Sequence, residues 1–136
     1  MSQRFFQLNM QFTRTFRKKL NEHLVEVGLY YSQWSIVYYL KQCGSATLVE
    51  ITNYLDVEKP TISRTVKRLE EQQLIERLPS EDKRERKMQL TKKGLEMYEK
   101  AYDVVNKFEQ SLLAEIPETE MEASFRTIQQ LRDKLK

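Results

Sequence analysis

Apolar residues recur every three or four positions along almost the whole chain. This pattern constrains the fold most, because it is the period of one helix face. Phe5, Leu8, Phe12, Phe16, Leu20 and Leu24 trace one stripe, ending near Gly28. Leu95, Tyr98, Tyr102, Val105, Phe108, Leu112 and Ile116 trace a second, which Pro117 interrupts before Met121, Phe125, Ile128, Leu131 and Leu135 trace a third. Only from Leu74 to Pro79 and from Lys87 to Thr91 does the pattern change, to short runs of partial alternation with Met88 and Leu90 on one side. Those two runs read as a hairpin whose tip is the charged SEDKRER of residues 80–86. The expected fold class is mainly α with a small β-hairpin, in a chain of one domain's length at 136 residues.

Between the two ends lie shorter helices. Ser32 is placed to cap a helix whose stripe is Trp34 or Ile36, Val37 and Leu40, and Gly44 stands where that helix would stop. Thr47 and Glu50 have capping-box spacing, in which a hydroxyl and a carboxylate each satisfy a backbone N–H freed at a helix start. Leu48, Ile51 and Leu55 follow as a short buried stripe. After Asp56-Val57-Glu58-Lys59, Pro60 can open a further helix at no cost in hydrogen bonds. On a helical wheel of about 100° per residue, Ile62, Val66 and Leu69 form its buried side. Pro60, Thr61, Arg64, Lys67, Arg68 and Glu71 fall opposite, with Ser63 and Thr65 on the shoulders.

Charge is distributed unevenly along this frame. The net charge is +3 overall, but residues 59–93 alone carry eleven basic and six acidic side chains, between acidic segments at 25–58 and 94–136. A central basic block of this kind suits a polyanion, since phosphate neutralisation supplies most non-specific nucleic-acid affinity. An exposed helix fits the major groove of duplex DNA, where Arg64 can pair with guanine and small hydroxyls reach bases or phosphates. Lys83, Arg84 and Arg86 on a projecting tip suit a narrow minor groove or the adjacent backbone, with Asp82 placed to hold the Arg84 side chain. Each part has a plainer reading as solvated surface or a soluble turn; it is their joint occurrence that points to DNA.

Other classes find less support. One Cys and one His provide neither a disulfide framework nor a zinc site, and no cofactor is expected. No Ser/His/Asp set, Gly-rich phosphate loop or metal-ligand spacing is assembled for catalysis. Apolar runs of at most five residues are far too short to span a bilayer, and the opening MSQRFF does not read as a signal peptide. A reducing, cytoplasmic compartment is the expectation.

At the level of motifs, the chain resembles the MarR family of winged helix-turn-helix transcriptional regulators over nearly its whole length. The matching stretches are LYYSQWSIV at 29–37, EKPTISRTVKRLE at 58–70, the Asp-x-Arg of Asp82 to Arg84, and LTKKG at 90–94. The resemblance implies a winged helix-turn-helix lobe at 31–94 and a helical dimerisation region at 1–30 and 95–136. It also implies a homodimer, with Thr61, Ser63 and Arg64 in the major groove and Arg84 in the minor groove, oriented by Asp82. A bacterial repressor released by a small-molecule effector is the family expectation. The chain departs from the pattern at Gln73, where many relatives have Gly, and in carrying Arg86 after Glu85. Its Cys43 lies at the end of the second helix, whereas the redox branch places its sensing Cys near the start of the first.

An effector pocket between the terminal helices and the lobe would draw on Trp34, Tyr38, Tyr30 or His23, residues that ordinary packing explains as well. The reading as a whole is a sequence-specific regulator of double-stranded DNA that binds a pseudo-palindromic operator. The alternative is a winged-helix protein-interaction module without specific DNA reading.

Overall fold

The computed structural model describes all 136 residues apart from the side chain of Lys83. In chain order, its elements are α1 (Ser2–Val25), α2 (Tyr31–Cys43), α3 (Leu48–Leu55), α4 (Lys59–Glu71), β1 (Ile75–Arg77), a 3₁₀ turn (Lys83–Glu85), β2 (Met88–Leu90), α5 (Lys92–Leu113) and α6 (Glu118–Lys134). Both strands are shorter than the alternation predicts. Two compact units are present, Met1–Asn106 and Lys107–Lys136, with the boundary inside α5.

In the first unit, Leu20 and Leu24 of α1, Ile36, Val37 and Leu40 of α2, Ile51 of α3 and Ile62, Val66 and Leu69 of α4 are all buried. The start of α2 differs from expectation. Ser32 lies inside the helix rather than capping it, because the preceding backbone N–H groups already have acceptors: Gln33 Oε1 takes the N–H of Tyr30 at 3.0 Å, and Asn21 Oδ1 of α1 takes that of Tyr31 at 2.8 Å. The box before α3 is as expected. The Thr47 N–H donates to Glu50 Oε1 at 3.1 Å, and the Glu50 N–H donates to Thr47 Oγ1 at 3.2 Å. Ile51 is fully buried, but Leu48 and Leu55 only half so, since α3 is too short to cover its whole stripe.

The exit from α4 carries a conformational cost. Gln73 has φ +62°, and the N–H groups of Gln73 and Leu74 return to the carbonyls of Glu70 and Leu69, the paired closure that usually has glycine at its left-handed position. β1 and β2 are antiparallel, with Ile75 opposite Leu90 and Arg77 opposite Met88. Ala46 exchanges both backbone hydrogen bonds with Met88, so the link between α2 and α3 forms a third line of pairing that the sequence pattern does not reveal. The return helix α5 starts from Thr91. Its hydroxyl donates to the Gln73 carbonyl and accepts the Gly94 N–H, while a Cβ at Gly94 would collide with the Leu74 carbonyl oxygen. Hairpin, α4 exit and α5 are thereby locked together.

The second unit contains the end of α5 and all of α6. Pro117 stands at the N-cap, Glu118 and Glu120 occupy the first turn and Arg132 and Lys134 the last, the arrangement that suits the helix dipole. No residue of α6 is buried, and Met121, Phe125 and Ile128 are exposed.

Candidate nucleic-acid interface

Helices α3 and α4 are joined by a short turn in which Asp56 adopts φ +52°, ψ +49°, the left-handed conformation that Asp tolerates better than most residues. Glu58 then caps α4 in an extended conformation, and Pro60 stands in the first turn. With Ile62, Val66 and Leu69 facing the core, the opposite face of α4 must face solvent. Pro60, Arg64, Lys67 and Arg68 are exposed there, and Thr61, Ser63 and Thr65 are half-buried.

Not all of these side chains are equally available. Arg64 Nη2 lies 3.4 Å from Thr61 Oγ1, a long contact that leaves most of its fork of donors unused. The Thr65 hydroxyl donates back to the Thr61 carbonyl at 3.0 Å, within the helix. The Arg68 guanidinium lies over the Tyr30 ring, 5.7 Å from its centroid. Lys59, Arg64 and Lys67 are thus the cations of α4 not laid over a ring, with Arg64 making only the long contact to Thr61.

The hairpin tip is built around Asp82. Its Oδ1 accepts the backbone N–H of Arg84 at 2.9 Å, its carbonyl accepts the Glu85 N–H at 3.1 Å, and the Ser80 hydroxyl donates to that same carbonyl at 3.0 Å. Asp82 was expected to hold the Arg84 side chain. Its hydrogen bond goes instead to the Arg84 backbone, because a carboxylate two residues back reaches that N–H in a local turn. Asp82 therefore sets the course of the chain through the tip. Arg84 is exposed and Arg86 half-buried, while the expectation for the Lys83 side chain lies outside the described residues.

A cavity of about 200 Å³ adjoins α4 on its inner shoulder, lined by Arg17 of α1, Tyr31, Ser32 and Ser35 of α2, and Thr61 and Thr65 of α4. Arg17 lies over the Tyr31 ring at 5.0 Å. None of the four residues expected to line a pocket borders it. Trp34 stacks on Tyr98 at 5.7 Å and contacts Tyr38 at 5.8 Å, Tyr30 is taken by Arg68, and His23 is in the last turn of α1. The Trp34, Tyr38 and Tyr30 rings therefore each have a contact with another side chain.

Sequence reasoning missed Gln33. It is 2% exposed, and its Nε2 donates to Gln72 Oε1 at 2.7 Å, tying the start of α2 to the end of α4. The signal was present, since Gln33 shares its face with Val37 and Leu40 at four- and three-residue spacing. Cys43 is exposed, with its Sγ 3.4 Å from the Ser45 carbonyl. Among the described residues, no group of three or more His, Cys, Asp or Glu could hold a metal ion, and no helix is long and apolar enough to cross a membrane.

Comparison with known proteins agrees with this geometry. The sequence pattern of the MarR family matches residues 29–85. The HTH-type transcriptional regulator YwoH of Bacillus subtilis is 46% identical over 113 residues, 83% of this chain and 82% of the relative. Among solved structures, Staphylococcus aureus MarR in complex with salicylate and kanamycin is 34% identical, with a TM-score of 0.88 over 98% of this chain and 91% of the other. A MarR from E. coli complexed with operator DNA shares the fold, at 23% identity and a TM-score of 0.82, over 92% and 91% of the two chains. With a winged helix-turn-helix lobe and relatives at this identity over nearly full length, the chain belongs to the MarR family of transcriptional regulators.

Proposed function

We propose that this regulator is a homodimeric repressor that reads a pseudo-palindromic operator with α4 in the major groove and the hairpin tip in the minor groove. The observation that carries the reading is the two-sided character of α4: Ile62, Val66 and Leu69 are buried, while Arg64 and Lys67 project from the opposite face. In this reading Arg64 reads a base, and Pro60, Thr61, Ser63, Thr65, Lys67 and Arg68 line the groove and its phosphates. Lys83, Arg84 and Arg86 engage the minor groove and flanking backbone, on a tip whose course Asp82 sets.

Exposed apolar side chains support the dimer. On α1, Phe5, Phe6, Leu8, Met10 and Phe12 are 37% to 64% exposed, a concentration of apolar surface that marks an interaction site. Met121, Phe125 and Ile128 of α6 are 44% to 63% exposed as well. A second copy of the chain would cover these faces, with 1–30 and 95–136 as the dimerisation region and 31–94 as the DNA-binding lobe. Two-fold symmetry then calls for half-sites about one helical turn apart.

Release by an effector draws on the cavity beside α4. Arg17 supplies a cation, Tyr31 an aromatic wall, and Ser32, Ser35, Thr61 and Thr65 supply hydroxyls, a set that suits a small aromatic acid. The salicylate carried by the S. aureus relative belongs to that class. A ligand there would press on the shoulder of α4 and shift its position against the groove.

The test is selection of bound duplexes from a random DNA pool, followed by anisotropy titration of the winners across salt and with added salicylate. An enriched inverted repeat, bound with steep salt dependence and weakened by salicylate, is the expected result. Weak binding without enrichment would overturn the reading in favour of a protein-interaction module.

A further inference from the structure

Tyr39 of α2 and Tyr54 of α3 are stacked, with ring centroids 4.2 Å apart and ring planes 20° from parallel. Two aromatic rings come little closer than this before their surfaces overlap. Tyr98 and Tyr102, another tyrosine pair, stand 5.8 Å apart at 36°. The closer pair is also open to solvent, since Tyr54 is 55% exposed and Tyr39 half-buried. Other tyrosines have different neighbours: Tyr30 and Tyr31 face the guanidinium groups of Arg68 and Arg17, and Tyr98 is buried against Trp34.

Around the pair stand a negative charge and a thiol. Burial first, and then the neighbouring Cys43 and Glu50, push the Tyr39 hydroxyl above its ordinary value of 10.0. A negative charge that opposes loss of the phenol proton favours loss of an electron from the same ring. Cys43 is in hydrogen-bond contact with Tyr39, and its Sγ lies 3.4 Å from the Ser45 carbonyl. An oxidisable ring pair thus stands beside an oxidisable thiol, and the two would give different products.

We propose that Tyr39 and Tyr54 form an oxidative cross-linking site, where a haem peroxidase fed by hydrogen peroxide joins the two rings as dityrosine. Each phenol gives up one electron and its hydroxyl proton. The two phenoxyl radicals couple through the carbons ortho to their hydroxyls, and the hydrogens displaced from those carbons return to the oxygens, restoring both phenols. One peroxide takes up the two electrons and two protons and leaves as two waters. The exposed Tyr54 ring can turn about its side-chain bonds to bring the ortho carbons together, and stacking makes the coupling intramolecular, at a far higher effective concentration than a collision between chains. The product staples α2 to α3 across the link at 44–47 and constrains the unfolded chain as a disulfide does. No residue of α4 takes part, so the site does not depend on the DNA-binding reading above.

The test treats the full chain with a haem peroxidase and limiting hydrogen peroxide, raised until oxidation of some tyrosine or of Cys43 is detected. Intact mass and tandem mass spectrometry of a tryptic digest then locate the product. The expected product is a single chain lighter by two hydrogens, with the peptide carrying Tyr39 joined to the peptide carrying Tyr54 and the blue fluorescence of dityrosine. Tyr54→Phe keeps a ring in the stack but has no phenol to couple, and should lose that link. A link that survives in Tyr54→Phe would overturn the assignment, as would oxidation that leaves these rings unjoined or joins tyrosines chiefly between chains or at Tyr98 and Tyr102.

A thioether between Tyr39 and Cys43 would join the same two peptides, because Cys43 and Tyr54 share one tryptic fragment. Cys43→Ala separates the two products. The link should persist in this variant, and its loss would replace the ring pair by the thiol. The linked native chain should also unfold at a higher thermal midpoint than Tyr54→Phe treated in the same way, relative to each untreated chain. A linked chain with no such gain would overturn the staple.

Discussion

The side-chain amide of Gln33 donates to that of Gln72 across 2.7 Å, joining the first turn of α2 to the C-cap of α4. The other end of the Gln33 amide accepts the Tyr30 N–H, so one buried side chain satisfies a helix start and fastens α4 to it. Gln72 is held on its other side as well, where its carbonyl accepts from Lys93 Nζ at 3.0 Å. Gln33→Leu keeps the volume but strands both polar partners. It is expected to cost about 1–3 kcal/mol of stability. Urea unfolding should show a lower midpoint with unchanged slope, and a midpoint equal to that of the native chain would remove Gln33 from this role.

The turn after α4 is open to improvement. Gln73 holds φ +62°, where a side chain costs energy that glycine avoids. The hydrogen bonds that close the turn use only backbone atoms and the Thr91 hydroxyl, all of which glycine would keep. Gln73→Gly should therefore stabilise the fold by about 0.5–1 kcal/mol, read as a rise in the thermal midpoint. A fall in the midpoint would mean that the Gln73 side chain contributes more than its backbone strain costs.

Arg64 is expected to separate base reading from charge. If its guanidinium pairs with guanine, Arg64→Ala lowers operator affinity by about 1–3 kcal/mol and relaxes preference at one position of each half-site. Lys67→Ala, by contrast, should weaken operator and scrambled duplexes alike. Anisotropy titrations on both duplexes check this, and an equal loss on both for Arg64→Ala would make it a phosphate contact.

The capping box predicts a pH dependence. The backbone N–H of Thr47 and then its side chain, through their hydrogen bonds with Glu50, hold the Glu50 carboxyl below its ordinary value of 4.5, with the Lys87 charge adding to the effect. A carboxyl whose folded value is depressed adds stability that is fully present above the unfolded value and is lost as pH falls through the folded one. The native chain should thus be more stable than Glu50→Gln at neutral pH, and the margin should shrink below about pH 4.5. Unfolding midpoints across that range provide the check. A margin that stays constant down to about pH 3 would show that the charged form brings no advantage.

Much of this was legible from local pattern. The stripes on α1, α4 and α5, the stop at Gly44, the Thr47–Glu50 box and the break at Pro117 depend on neighbours three or four residues apart, and short-range geometry sets them whatever the rest of the chain does. The motifs that carry the family resemblance lie on those same elements, which is why the fold class and the two-sided character of α4 could be read directly. Where the reading missed, longer-range contacts had intervened. Ser32 lost the cap of α2 because Asn21, ten residues back, reaches the Tyr31 N–H.

The sequence by itself determined which faces are apolar, the box that starts α3 and the stops at Gly44 and Pro117, and that a basic helix and a charged tip stand close together in the chain. Tertiary structure alone decided which polar side chains meet across elements. It paired Gln33 with Gln72 across 39 positions, laid Arg68 over Tyr30, and brought Ala46 beside Met88. The reason is physical: helical and strand periods act over one or two turns, whereas a hydrogen bond or an ion pair depends on positions in space that exist only once the core has closed.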